Sequence, residues 1–208
     1  MKKIMYATTN PGKFDEVQHV FRGYNLDIHS PSEFGISIDV EETGKTLEEN
    51  AILKAEAYLP LIPKDIIVIS DDTGIEIDAL GGEPGIKVRR WKGYRMEDDE
   101  ILSYCLDRLR GIEIKDRGAQ FRTVIAVAKV GHETKLFEGI LRGTILAKPH
   151  DLRVEGLPFQ PLFYANEYDK MLYAIHDLSF DQKIKEGILT HRERAVVSAL
   201  PYLTSLLD

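Results

Sequence analysis

Asp71 and Asp72 are adjacent carboxylates, and their neighbours suggest what chemistry they serve. The run Ile66-Ile67-Val68-Ile69 leads through Ser70 into the pair, and Thr73 and Gly74 follow. Four β-branched apolar residues in a row read as a fully buried strand. The polar tail then falls at the strand's C-terminal end, where open α/β sheets place their ligands. Two carboxylates there suit Mg²⁺, a hard cation that takes one or two carboxylates and otherwise water and phosphate oxygens. One of them equally suits a general base. The competing reading is a solvated turn closed by Gly74, because Asp and Gly are ordinary turn residues.

Groups that could hold an anion are spread along the chain. Thr8-Thr9-Asn10-Pro11-Gly12-Lys13 sets an N-cap and a helix-starting proline beside a lysine. A helix N-terminus after a strand and a polar turn binds anions, since free N–H groups and the dipole face the ligand. The plain alternative is a capped helix with a solvated Lys13. The Walker spacing Gly-x4-Gly-Lys-Ser/Thr is absent. Glu41 and Glu42 are surface charge unless their loop lies beside Asp72. Asn50 and Lys54, at i and i+4, share one helix face. Lys54 reads either as a snorkelling surface residue or as a phosphate ligand. Arg89-Arg90-Trp91-Lys92 is a basic patch that steers a polyphosphate or simply faces solvent. His191 and Arg192 fall in the first turn of the last helix. The positive helix end there keeps His191 neutral and able to hydrogen-bond a ring carbonyl or amide.

The elements that must position these groups follow from periodicity. Residues 3–8 predict a short buried strand, 11–22 a helix with Phe14, Val17, Val20 and Phe21 inward, and 26–29 a second strand. Thr46 and Glu49 form a capping box that opens a helix over 47–59. Residues 75–80 alternate like a further strand, and 98–110 read as a helix with Cys105 on its core face. Residues 120–130 and 134–138 form a hairpin that 139–146 extends. Gly156–Phe163 is a rigid aromatic loop, either one wall of a slot for a flat ring or a hydrophobic plug. Lys183 and Lys185 follow in a polar stretch. Thr190 and Glu193 cap a final helix that Pro201 should kink or interrupt.

The 208 residues suffice for one large domain or two lobes. A net charge of −7 argues against a broad nucleic-acid surface. No apolar run approaches the roughly 18 residues of a membrane span, and the N-terminal segment is too short for a signal peptide. Cys105 is the single cysteine, so no intrachain disulfide forms, which favours a reducing cytoplasm.

Taken together these segments resemble the inosine triphosphate pyrophosphatases, which hydrolyse non-standard purine nucleoside triphosphates. Thr8 to Glu16 looks like that family's T/S-x-N-x-x-K-x-x-E motif. Glu41 to Ala55 is close to its E-E-T-G-x-T-F-x-E-N-A-x-x-K-A. Ser70-Asp71-Asp72-Thr73-Gly74 is similar to its A-D-D-S-G, and Ala79 to Ile86 to its L-G-G-x-P-G segment. Thr190-His191-Arg192 looks like its S-H-R. Five motifs in order, at compatible spacing, span nearly the whole chain.

The resemblance implies an elongated α/β domain over residues 1–208, with a long twisted mixed sheet flanked by helices in two lobes and the active site in the cleft between them. It implies Mg²⁺-dependent hydrolysis of ITP, dITP or XTP to the monophosphate and pyrophosphate, and commonly a homodimer. Asp72 would be the general base and, with Glu41, a metal ligand. Thr8, Thr9, Asn10, Lys13, Lys54, Thr73 and Arg90 would grip phosphates. Water must attack the α-phosphorus while cations absorb the developing charge. The base pocket departs from the family's F-G-Y/W-D-P. Leu157-Pro158-Phe159-Gln160-Pro161 has no aromatic at Leu157 and no charge at Gln160, so Phe159 is expected to take over stacking. The family lysine falls at Glu186, with Lys185 one place off; His191 and Arg192 remain for the base. Two functions follow: a pool-cleaning hydrolase, on these bases or an altered one, and a catalytically weak nucleotide-binding relative with a sensing role.

Overall fold

The computed structural model describes residues 3–24 and 26–207. The strands are β1 (Ile4–Tyr6), β2 (Ile28–His29), β3 (Ile67–Ile77), β4 (Pro84–Gly85), β5 (Gly118–Ala128), β6 (Lys135–Ile145), β7 (Phe163–Ala165) and β8 (Lys170–Met171). The helices are α1 (Pro11–Gly23), α2 (Leu47–Tyr58), α3 (Asp98–Arg108), α4 (Leu172–His176), α5 (Phe180–Glu186) and α6 (His191–Leu207). The strands form one mixed eight-stranded sheet in the order β2-β1-β3-β5-β6-β7-β8, with β4 paired to β3. Among the described residues no helix is long and apolar enough to cross a membrane.

The apolar run and the alternating segment that read as two strands are one. β3 passes straight through Ser70-Asp71-Asp72-Thr73-Gly74. Its first half pairs in parallel with β1, Ile4 opposite Ile67 and Tyr6 opposite Ile69. Its second half pairs antiparallel with β4, Ile75 opposite Gly85. The solvated-turn reading is overturned: Asp71 is 1% exposed and Asp72 7%. Gly74 serves close approach instead of a turn, since a Cβ there would lie 2.7 Å from the Gly85 carbonyl oxygen.

By contact the chain divides into two compact units, one of residues up to Thr73, Thr123–Gly139 and from His191 onward, the other of Gly74–Arg122 and Ile140–Thr190. Each has its own core. In the first, Val17, Val20 and Phe21 of α1 and Ala195, Val196, Ala199 and Leu203 of α6 pack with Ile4, Ile67, Ile69, Ile125 and Val127 of the sheet. In the second, Ile101, Leu102 and Cys105 of α3 pack with Ile75, Ile77, Leu141, Ile145 and Phe163. A fully buried Phe21 or Phe163 contributes about 1.5–3 kcal/mol.

One local expectation, the capping box at Thr46, is corrected, and two others are filled in. Pro201 does not interrupt α6, which continues to Leu207. One missing N–H costs less than exposing the face of Ala199, Leu200, Leu203 and Leu206, all buried on either side of it. Thr46 caps α2 through the Glu49 N–H, but the Glu49 carboxylate accepts from Lys45 N at 2.6 Å, one residue earlier than a capping box requires. The polar stretch with Lys183 and Lys185 is helical, opened by Ser179 and Gln182 in a true capping box.

β6 meets α6 so closely that Gly139 has no room for a side chain. A Cβ there would collide with the backbone of His191 and Ala195. Gly139→Ala is therefore expected to lower stability by about 1–3 kcal/mol. An unchanged chemical-denaturation midpoint would contradict this packing.

Candidate active site

The first unit gathers the charged groups around the middle of β3. Asp71 Oδ1 accepts from the Tyr6 hydroxyl at 2.6 Å, and Oδ2 accepts from Lys13 Nζ at 3.1 Å and Arg192 Nε at 3.2 Å. Arg192 also pairs with Glu16. Lys13 arrives because Asn10 caps α1, its Oδ1 accepting from Lys13 N at 3.2 Å, while Thr8 Oγ1 accepts from Asn10 N. Thr9 is exposed beside them. From α2, Asn50 Nδ2 donates to Asp72 Oδ2 at 2.9 Å. Lys54, one turn on, donates to Glu42 at 2.7 Å and lies 3.8 Å from Asp72 Oδ1.

The two neighbouring carboxylates are driven in opposite directions. Burial works to raise the Asp71 carboxyl, but Lys13, Arg192 and Lys54 outweigh it and hold it well below the usual carboxylate range. Burial raises Asp72, and Glu42 adds to this against the pull of Lys54 and Asn50. Burial also lowers the Lys13 ammonium, only partly offset by Asp71. Burial works to lower Lys54 too, but Asp71, Asp72 and Glu42 outweigh it and raise it. The pair is therefore unequal: three cations hold Asp71 ionised, while burial leaves the charged form of Asp72 less favoured. Asp72 is also short of compensating positive charge. A hard divalent cation suits such a group, with one or two carboxylates and the remaining ligands from water and phosphate. Among the described residues no three His, Cys, Asp or Glu side chains cluster as a cage for a metal.

The profile of the Ham1 family matches residues 4–202. The dITP/XTP pyrophosphatase of Bacillus subtilis (strain 168) is 38% identical over 208 residues, covering 100% of this chain and 98% of that protein. The chain belongs to the Ham1 family. The dITP/XTP pyrophosphatase of Thermoanaerobacter pseudethanolicus is 37% identical over 206 residues, covering 99% and 98%. Among solved structures, the Staphylococcus aureus Ham1 protein aligns with a TM-score of 0.77 at 36% identity, over 98% of this chain and 99% of that one. A HAM1 protein from Coxiella burnetii aligns at 0.77 with 28% identity, over 99% and 100%.

Within this Ham1 chain, the residues expected at the metal and phosphates divide clearly. Thr8, Asn10, Lys13, Lys54, Asp72 and Thr73 all lie in the first unit, and ion pairs join Lys13 to Asp71 and Lys54 to Asp72. Glu41 is exposed; the carboxylate that meets Lys54 is Glu42. Arg90, in the second unit, is exposed, whereas its neighbour Arg89 is tied to Asp98 at 2.5 Å.

The residues assigned to the base are placed differently from expectation. Arg192 has a 4% exposed side chain and spends its guanidinium on Glu16, Asp71 and Thr73. His191 is 3% exposed, with Nδ1 2.6 Å from the Thr123 hydroxyl. In the second unit Phe159 is 2% exposed, packed among Trp91 and Phe121. Its ring offers no open face, which corrects the expectation that it replaces the stacking aromatic. Gln160 is 4% exposed and bonded to His176 Nδ1 at 2.8 Å. Leu157 and Pro158 instead line a cavity of about 330 Å³ with Asp98, Asp99 and Leu102. Lys185 is exposed on α5.

Sequence reasoning passed over Tyr6, Glu16 and Thr123 as site residues, and of the Glu41–Glu42 pair it chose Glu41. Glu16 carried a signal, since it closes the N-terminal motif. Thr123 carried a weaker one, a lone hydroxyl ahead of the apolar run Val124-Ile125-Ala126-Val127.

Proposed function

We propose that this chain hydrolyses the triphosphates of non-standard purines (ITP, dITP and XTP) to the monophosphate and pyrophosphate. The observation that carries the reading is the Asp71–Asp72 pair, one carboxylate held ionised and the other pushed up, each beside a lysine. Lys13, Lys54 and the Thr8 hydroxyl draw the polyphosphate to β3, with Thr9, Asn10 and Arg90 as further phosphate ligands, while the Thr73 hydroxyl serves Asp71. Asp72 accepts a proton from the water that attacks the α-phosphorus. The α–β phosphoanhydride bond breaks, and pyrophosphate leaves with the electron pair. Asp72 and a carboxylate of the Glu41–Glu42 pair would hold Mg²⁺, which when bound neutralises charge on the phosphates. For the base, the family resemblance points to the loop of Leu157, Phe159 and Gln160, where this chain departs from the family's pattern. Family resemblance supports a homodimer, and the single cysteine, Cys105, favours a reducing cytoplasm.

Pyrophosphate release measured over ITP, dITP, XTP, GTP, ATP, dUTP and dTTP tests the reading. The first three are expected to react on the order of 10²-fold faster in kcat/KM than the others, and chelation of Mg²⁺ is expected to abolish turnover. Preference for another base would keep the chemistry and change the substrate. Tight binding without turnover would make the chain a nucleotide sensor.

A further inference from the structure

Thr123 lies on β5 and is fully buried. Its hydroxyl oxygen is 2.7 Å from Thr73 Oγ1 and 2.6 Å from His191 Nδ1. Thr73 in turn donates to Asp71 Oδ2 at 3.3 Å and accepts from Arg192 Nη2 at 3.3 Å. Each hydroxyl carries one proton, which decides the direction of the chain. The Thr73 proton goes to Asp71, so Thr123 must donate to Thr73. The Thr123 proton is then committed, and the contact to His191 must be made by a proton on Nδ1. The reverse direction would turn Thr73 lone pairs toward the Asp71 carboxylate in a dry interior, where unsatisfied polar groups are costly. Hydrogen bonding therefore runs one way, from His191 through Thr123 and Thr73 to Asp71. Packing alone does not call for this hydroxyl, because valine has nearly the same shape and suits a buried strand better.

We propose that Thr123 is a positioning residue: its hydroxyl locks the first turn of α6 to the Asp71-Asp72-Thr73 segment of β3 and fixes where the Thr73 proton points. With that lock in place, Arg192 and Thr73 converge on Asp71 in one arrangement, and Lys13 keeps its partner. The catalytic consequence rests on the pyrophosphatase reading; the direction of the relay does not.

The test compares the full chain with Thr123→Val and Thr123→Ser. Imidazole ¹⁵N shifts report the His191 tautomer, with the signal assigned by its loss in His191→Asn. Wild type and Thr123→Ser should carry the proton on Nδ1, and Thr123→Val should lose that tautomer. In ITP hydrolysis Thr123→Val should lower kcat on the order of 10- to 100-fold, with KM within roughly twofold of wild type. The fall should be the same for dITP and XTP, and Thr123→Ser should recover most of it. A wild-type proton on Nε2 overturns the relay. So does a Thr123→Ser variant as impaired as Thr123→Val, which would make the position one of packing, and so does a loss confined to one base. If the tautomer behaves as stated while wild type hydrolyses no triphosphate, the relay stands and the pyrophosphatase reading falls.

Discussion

Asp72→Asn should lower pyrophosphate release by about 10²–10⁴-fold, the range over which a positioned general base acts. Asparagine keeps the shape of the side chain and can still meet Asn50, but it cannot take up the proton of the attacking water. Burial and Glu42 raise the Asp72 carboxyl above its ordinary value. The wild-type rate should therefore fall as pH drops through that raised value, and the residual rate of Asp72→Asn should lack this acid limb. Stability should move the other way. A carboxyl raised on folding contributes stability below its unfolded pKa and loses it as pH rises through the folded one. At neutral pH the buried charge is a liability, so Asp72→Asn should melt no lower than wild type. Turnover within a few-fold of wild type would remove the general-base role. A lower melting temperature would instead make Asp72 a structural carboxylate.

Arg192→Met should cost about 3–5 kcal/mol, because removing one partner of a buried ion pair strands the other charges. Glu16 has an 8% exposed side chain and Asp71 1%, and the guanidinium lies against both. Methionine fills part of the volume but leaves two carboxylates facing each other with Lys13 as the nearby cation. Asp71 also sets the pH dependence. Its carboxyl is held well below the usual range, so its contribution is in place above the unfolded pKa and is lost as pH falls through the depressed folded value. Wild type should keep this stability in mild acid and yield it only in strong acid. Arg192→Met should unfold at higher pH. Denaturant midpoints across an acid series would show it, and curves that overlay would mean the cluster carries no net stability.

Much of this protein was legible in its sequence, for reasons that are local. The apolar periods of α1, α3 and α6, the caps at Asn10 and Thr46, and the apolar start of β3 are short-range preferences acting within a few residues. Local setting made Lys13, Lys54 and Asp72 candidates beside plainer readings, and the resemblance of their motifs to the family's implied their roles. What periodicity could not decide was where side chains from distant segments meet. The continuation of β3 through two aspartates depended on Tyr6, Lys13 and Arg192 arriving to satisfy Asp71, and those residues lie 65, 58 and 121 positions away. Without those partners two buried carboxylates would be expelled to a turn, which is how they read in isolation. Glu42 rather than Glu41 meets Lys54 because one residue of phase in an irregular segment has no sequence signature. Phe159 is in the core and Leu157 at the cavity because the loop's path, set by packing against Trp91 and Phe121, chooses the ring that is swallowed. The sequence by itself determined the elements and the inventory of reactive groups. The tertiary structure decided which carboxylate keeps its charge, since that depends on which cations the fold brings within about 3 Å of it.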